Sequence, residues 1–205
     1  MLTANRIALQ DVRAAIEQYG LLLMQDSKLP SLVSIVAGGP LKGSWWSHPQ
    51  SKLMFDVLQV ISSETLMVKL IAGKRTFVHP RLWAAVCAIA EGNEPWQLDK
   101  LKPDTRELLD LVNERGSLRS DQVSLSTGSR KIGSVVDDLE KRLLVHACDE
   151  HTERGHHARV LRTWPHWRAE ARLIDLPALA TARDLIASAT AKYHSVPVGN
   201  GSEAS

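Results

Sequence analysis

Apolar positions along this chain recur at two spacings, and the alternation between them predicts its elements. Over residues 105–115, Leu108, Leu109, Leu111 and Val112 form one face of an amphipathic helix that Gly116 ends. Residues 117–126 follow as a short segment anchored by Leu118 and Val123. A longer helix is predicted over 129–144, where Ile132, Val135, Val136, Leu139, Leu143 and Leu144 fall at helical spacing. Gly128-Ser129-Arg130-Lys131 opens it, giving an N-cap and two cations on the first turn. Residues 144–148 and 158–162 then read as two strands around a polar tip, 149–157. Helix, helix, helix, hairpin is the order of a winged helix, in which the third helix meets the major groove of DNA.

The first hundred residues repeat that order. Val12, Ala15, Ile16 and Tyr19 stripe a helix over 8–19 that stops at Gly20, and 21–24 is a short apolar strand. A helix over 30–37 starts near Pro30 and is broken by Gly38-Gly39-Pro40. After a loop carrying Gly43-Ser44-Trp45-Trp46, Ser47-His48-Pro49 begins a helix striped by Leu53, Met54, Val57, Leu58 and Ile61. Strands over 66–71 and 75–79 are joined at Ala72-Gly73-Lys74. A helix then runs from Pro80 to Gly92. The predicted fold is therefore α+β, mainly helical, with tandem winged-helix-like units, small β-hairpins and a C-terminal helix. A plain α+β domain fits 1–92 almost as well. The predicted domains are 1–92, a linker at 93–103, a winged helix at 104–168, a C-terminal helical region at 169–195 and a structureless tail at 196–205.

Composition narrows the partners. At 44% hydrophobic and 23% charged, the 205 residues are ordinary for a globular chain. The net charge of +2 excludes a bulk polycation, so any affinity for nucleic acid must come from local clustering. Residues 151–168 supply a cluster, with Arg154, Arg159, Arg162 and Arg168 against the single acid Glu153. Two cysteines, Cys87 and Cys148, fit a reducing compartment better than a disulfide scaffold. Arg6, Asp11 and Arg13 interrupt any leader-like run, and no stretch is apolar enough to cross a membrane. A cytoplasmic location is expected.

Candidate DNA contacts follow from that order. Ser129, Arg130 and Lys131 open the third helix of the second unit, and arginine there can pair bidentately with guanine. Ser126 and Thr127 stand close by as phosphate partners. Arg154, His156, His157, Arg159 and Arg162 belong to the wing and its strands, where backbone phosphates would be met. Adjacent Trp45 and Trp46 cannot both face one core from an extended loop: either both wrap a small core from two sides, or one faces outward, where it could stack on a base. His146, Cys148, His151 and His156 lack the paired spacing of a zinc site, so no metal or cofactor is expected. Ser47, His48, Glu64 and His79 are the only residues of catalytic type in the first unit, and no catalytic motif surrounds them.

Gly43-Ser44-Trp45-Trp46-Ser47-His48-Pro49, the run from Lys69 through His79 with Arg81-Leu82-Trp83, and His151-Thr152-Glu153-Arg154-Gly155-His156-His157 with Trp164 and Trp167 carry a resemblance. Over roughly residues 8–168 the chain resembles the short bacterial AlkZ-related proteins, kin of tandem winged-helix alkylation-repair DNA glycosylases. The resemblance implies DNA as partner and the handling of damaged bases. Those enzymes use a Gln-x-Gln or Gln-x-Asp motif in their N-terminal unit. This chain has no Gln-x-Gln, and its one Gln-x-Asp, Gln97-Leu98-Asp99, falls in the predicted linker.

The function expected is non-catalytic binding of duplex DNA, with a homodimer through residues 178–193 as a further expectation. The alternatives are a glycosylase-like repair enzyme, with Glu64 or Asp99 as its acid and Trp45 or Trp46 as a wedge, and a protein-interaction module.

Overall fold

Helix α1 (Leu2–Tyr19) buries Val12 and Ile16, and Gly20 turns the chain into strand β1 (Leu21–Leu23). Gly20 has φ +79°, and a Cβ there would lie 2.8 Å from the Leu82 side chain, so both backbone and space demand glycine. This is the computed structural model of the chain. It describes residues 2–127, 130–151 and 157–195, and at 2–4, 150, 151 and 157 the backbone alone. Helix α1 is longer at its start than the expected 8–19.

The chain divides into two units, Met1–Trp83 with Asp184–Ser205, and Ala84–Arg183. In the first, α2 (Leu32–Ala37) is capped by Ser31 and Ser34, each side chain bonding the other's backbone N–H. Helix α3 (Ser51–Glu64) buries Met54, Val57 and Ile61. Strands β2 (Leu66–Ile71) and β3 (Lys74–Val78) form the hairpin, turning at Ala72-Gly73 with both residues at positive φ. The sheet order is β1-β3-β2, all antiparallel, with Phe77 flanked by Leu22 and Met67.

Helix α4 (Trp83–Ala90) leads into the second unit. The predicted linker at 93–103 is not extended chain. It holds α5 (Pro95–Leu98), whose Gln97 is fully buried. Helix α6 (Pro103–Arg115) buries Leu108, Leu109 and Val112 and ends at Gly116. Strand β4 (Ser117–Arg119) and one 3-10 turn (Ser120–Gln122) stand where a second helix was expected. Helix α7 (Ile132–Lys141) buries Val135, Val136 and Leu139. It starts and ends three residues inside the predicted 129–144, because Leu143 at φ +52° reverses the chain and Leu144 no longer continues the helix. Strands β5 (His146–His151) and β6 (His157–Arg162) complete a second antiparallel sheet, ordered β4-β6-β5. Leu118, Leu161 and Ala147 sit in register across it and close the core over α6 and α7.

The two units thus share an element order and a strand order, in which the short strand after the first helix pairs with the last strand of the hairpin. The class is α+β with two small three-stranded sheets. Among the described residues no helix is long and apolar enough to cross a membrane.

Helix α8 (Trp164–Glu170) is capped by the Thr163 hydroxyl, and Trp164 donates its indole N–H to the Leu143 carbonyl at 2.7 Å. The last helix, α9 (Leu179–His194), ends in the first unit, where the buried Tyr193 hydroxyl donates to the Pro30 carbonyl and accepts from the Leu23 N–H. This end of the predicted dimer helix is committed to its own chain. The Gly/Ser-rich 196–205 lie outside the described residues.

His146 is 8% exposed, sits beside Trp164 and Trp167, and its Nδ1 has no hydrogen-bond partner among the described residues. Burial, and then the Arg162 guanidinium, push its pKa down from 6.5 to about 4. The folded state therefore holds His146 neutral while the unfolded chain takes up a proton as pH falls below 6.5. Stability drops across that window, by about 2 to 3 kcal/mol from this group between pH 7 and pH 4.5. Urea unfolding at those two pH values should show His146→Leu losing less stability on acidification than the wild type. An equal loss in both would show that His146 does not carry the acid sensitivity.

Candidate nucleic-acid interface

Helix α7 begins where the chain leaves a loop held by a single carboxylate. Glu107, on α6, accepts from the Ser126 N–H and hydroxyl, both at 2.7 Å, and from the Thr127 N–H at 2.9 Å and hydroxyl at 2.5 Å. The Thr127 hydroxyl, followed by the Ser126 groups, holds the Glu107 pKa down to about 2. The donors expected to meet phosphate are thus already satisfied by an internal anion. Ser129 lies outside the described residues.

Arg130 is likewise engaged. Its Nε donates to Asp104 at 2.8 Å and its Nη2 reaches the other Asp104 oxygen, making a bidentate pair. It also donates to Thr105 Oγ1 at 2.5 Å and lies 3.6 Å from Asp138. Asp104 is only 3% exposed, and its pairing with Arg130 depresses its pKa while raising that of the arginine. Asp138 continues the network to Thr105 and Arg142, and Arg142 donates to the carbonyls of Trp96, Gln97 and Asp99 at the end of α5. Arg130 therefore ties α7 to α6. It precedes the helix rather than lying on its first turn, so the expected base-reading arginine is a structural clamp.

The strand arginines are engaged in the same way. Arg159 meets Asp137 at 2.7 Å and Glu140 at 2.9 Å on α7, and Asp149 at 3.6 Å. Arg162 donates to the Cys148 sulfur at 2.9 Å and pairs with Glu170 at 3.2 Å. Arg154 and His156 fall outside the described residues, and for His157 only the backbone is described.

What α7 leaves open is the beginning of its N-terminal turn, since the Ser134 N–H already donates to the Lys131 carbonyl at 2.9 Å. Lys131 is the N-cap residue, is exposed, and makes no side-chain cap. Gly133 and Ser134 are exposed too, and nothing lies within 4 Å of a Cβ built on Gly133. Helix α3 of the first unit starts the same way. Its N-cap, Gln50, makes no side-chain cap, and the Ser51 N–H donates to the His48 carbonyl at 2.9 Å. Lys52 follows on the first turn, exposed and paired with Asp56 at 3.1 Å. Uncapped first-turn N–H groups carry the positive end of the helix dipole and suit an anion.

The residues of catalytic type fall into two separate groups, Ser47 with His48 and Glu64 with His79. Glu64 is bound by Arg13 in a bidentate pair, and His79 Nε2 lies 2.6 Å from Glu17. These four side chains line a cavity of about 360 Å³ over Ile16 and Ile61. Ser47 and His48 precede α3 while Glu64 ends it, and a 14-residue helix is about 21 Å long. The Ser47 hydroxyl donates to the Ser44 carbonyl, and His48 Nδ1 accepts from the Gln50 N–H. Gln97 is fully satisfied, donating to the carbonyls of Ala90 and Arg142 and accepting from the Glu94 N–H. The glutamine of the Gln-x-Asp is thus a packing element, while Asp99 is exposed. Of the two adjacent indoles, Trp45 is 5% exposed and Trp46 62%. One does face outward, stacked on the other with centroids 3.9 Å apart.

Comparison with protein-family models, curated proteins and solved structures gives no match, so the function rests on this geometry.

The sequence treated Arg130 and Lys131 as one pair, and the structure separates them. Arg130→Ala leaves the buried Asp104 without its partner and should lower the melting temperature by several degrees. Lys131→Ala should leave it nearly unchanged. Equal melting of the two variants would contradict the clamp.

Proposed function

We propose that this chain is a tandem winged-helix protein that binds duplex DNA without acting on it chemically. The observation that carries this reading is the solvent-facing start of the third helix in both units, without a side-chain cap and with an exposed lysine at or next to the N-cap. That lysine is Lys131 at the N-cap of α7 and Lys52 on the first turn of α3. In a winged helix that terminus approaches DNA, and phosphate oxygens complete the open N–H groups. The shared strand orders, β1-β3-β2 and β4-β6-β5, are those a winged helix requires. The resemblance to AlkZ-related proteins points the same way.

The paired arginines shape the reading. With Arg130 bound to Asp104, and Arg159 and Arg162 on acids of their own unit, direct reading of guanine by these residues would require breaking internal ion pairs. Contact through Lys131, Lys52 and backbone N–H groups addresses phosphates, which carry no sequence information. Binding is then weakly selective and governed by salt. Non-catalytic binding is supported by Gln97, whose amide is fully occupied inside the protein, and by Glu64, which is held by Arg13.

Fluorescence anisotropy with random-sequence duplex across a salt series tests this. Affinity should fall steeply with salt, and each of Lys131→Ala and Lys52→Ala should reduce the slope of log K against log salt by about one. Binding that ignores salt, or none at low salt, would overturn the proposal in favour of a protein partner.

A further inference from the structure

The loop entering α3 presents a flat aromatic surface that the duplex reading does not use. Trp46 is 62% exposed, and its indole N–H has no hydrogen-bond partner among the described residues. One face of its ring lies on Trp45 at a centroid distance of 3.9 Å and an interplanar angle of 24°, and Phe55 tilts against it at 6.0 Å. Trp45 is in turn buried in a 3-10 turn, Trp45–Ser47. An indole held this way is already ordered, so a second planar ring can stack on it without first freezing the side chain.

The surroundings select the kind of ring. Between Asp26 and Asp56 the chain has no acid, while Lys28, Lys42, His48 and Lys52 fall within it, and of these Lys52 pairs with Asp56 at 3.1 Å on the exposed face of α3. Lys42 and Gln50 flank the tryptophans, are exposed, and their side chains have no partner among the described residues. The Nδ1 of His48 accepts from Gln50, which leaves its Nε2 as the donor in the neutral ring. An aromatic face bordered by donors and by Lys42, with Asp56, the acid next to Phe55 in sequence, paired to Lys52, matches a base attached to a phosphate backbone.

We infer that Trp46, backed by Trp45, is the stacking platform for an unpaired nucleobase of a DNA strand. This rests on the reading of the protein as a DNA binder and extends it to the substrate class. The base can come from single-stranded DNA or from an extrahelical position in a duplex, and stacking is the same for both. A fully paired duplex keeps its bases inside the stack and offers Trp46 nothing.

Anisotropy with three labelled probes separates these cases: an oligothymidine single strand, a paired duplex, and that duplex with one bulged thymidine. The full chain should prefer at least one of the two unpaired probes over the paired duplex. Trp46→Leu still covers Trp45 but cannot stack, and should lose roughly tenfold affinity or more for the preferred probe while leaving the paired duplex unchanged. Trp46→Phe should retain most of the affinity. Loss on the single strand alone identifies that as the source, and loss on the bulge alone identifies an extrahelical base.

Equal affinity of wild type and Trp46→Leu for all three probes overturns the platform and leaves duplex binding standing. Failure on the paired duplex alone overturns the duplex reading and spares the platform. A measurement that needs no substitution accompanies these. Photocrosslinking of wild-type protein to a strand containing 5-iodouracil should attach at Trp46, and attachment elsewhere, with none at Trp46, contradicts the inference.

Discussion

The ion pair between Arg130 and Asp104 determines what the second unit presents to a ligand. It joins the start of α7 to the start of α6, and Thr105, Asp138 and Arg142 extend it to the end of α5. A bidentate pair with a carboxylate that is almost wholly buried is not exchanged readily for a phosphate, because the departing arginine would leave Asp104 without compensation. The helix is thereby fixed in place, and the cation nearest to it is removed from recognition. Lys131, one residue later, stays free because no acid faces it among the described residues.

The same logic runs through the unit. Arg159 bridges β6 to two acids of α7, Arg162 reaches α8, and Glu107 holds the loop before α7 through four donors. Each is an internal substitute for a contact that a nucleic acid could otherwise have made. A chain with 25 basic and 23 acidic side chains can place many of its cations against anions. In this unit Arg119, Arg130, Arg142, Arg159, Arg162 and Arg168 are so placed, while Arg106, Arg115 and Arg172 are exposed with no acid partner among the described residues. What remains for a polyanion is backbone polarity at helix starts, the exposed lysines and arginines without an acid partner, such as Lys131 and Arg115, and the surface around Trp46.

Much of the fold is legible in the sequence because periodicity reports burial. The stripes of α3, α6 and α7, the Ala-Gly turn between β2 and β3, and Gly20 and Gly116 after their helices all mark elements at or near their observed places. Strand β4 was not legible, since three residues show no period and only Leu118 is apolar. The end of α7 was misread because Leu143 and Leu144 continue a helical stripe while the backbone turns at Leu143. The clamp was hidden for a different reason. Asp104 and Arg130 stand 26 residues apart, and a charge at a helix start looks the same in sequence whether it faces water or a buried partner. The i,i+4 pair of Asp138 and Arg142 was the available signal, and it implied surface charge rather than a network. Exposure of one indole of Trp45-Trp46 was one of two readings their adjacency allowed, and their mutual stacking depends on the 3-10 turn that carries them.

Amide chemical-shift mapping by NMR, with random-sequence duplex added to the full chain at low salt, tests the central claim most directly. The account predicts shifts concentrated at Lys131 to Ser134 and at Gln50 to Leu53, the open starts of α7 and α3, that reverse on adding salt. Shifts confined to other surfaces, or none with duplex in excess, would contradict it.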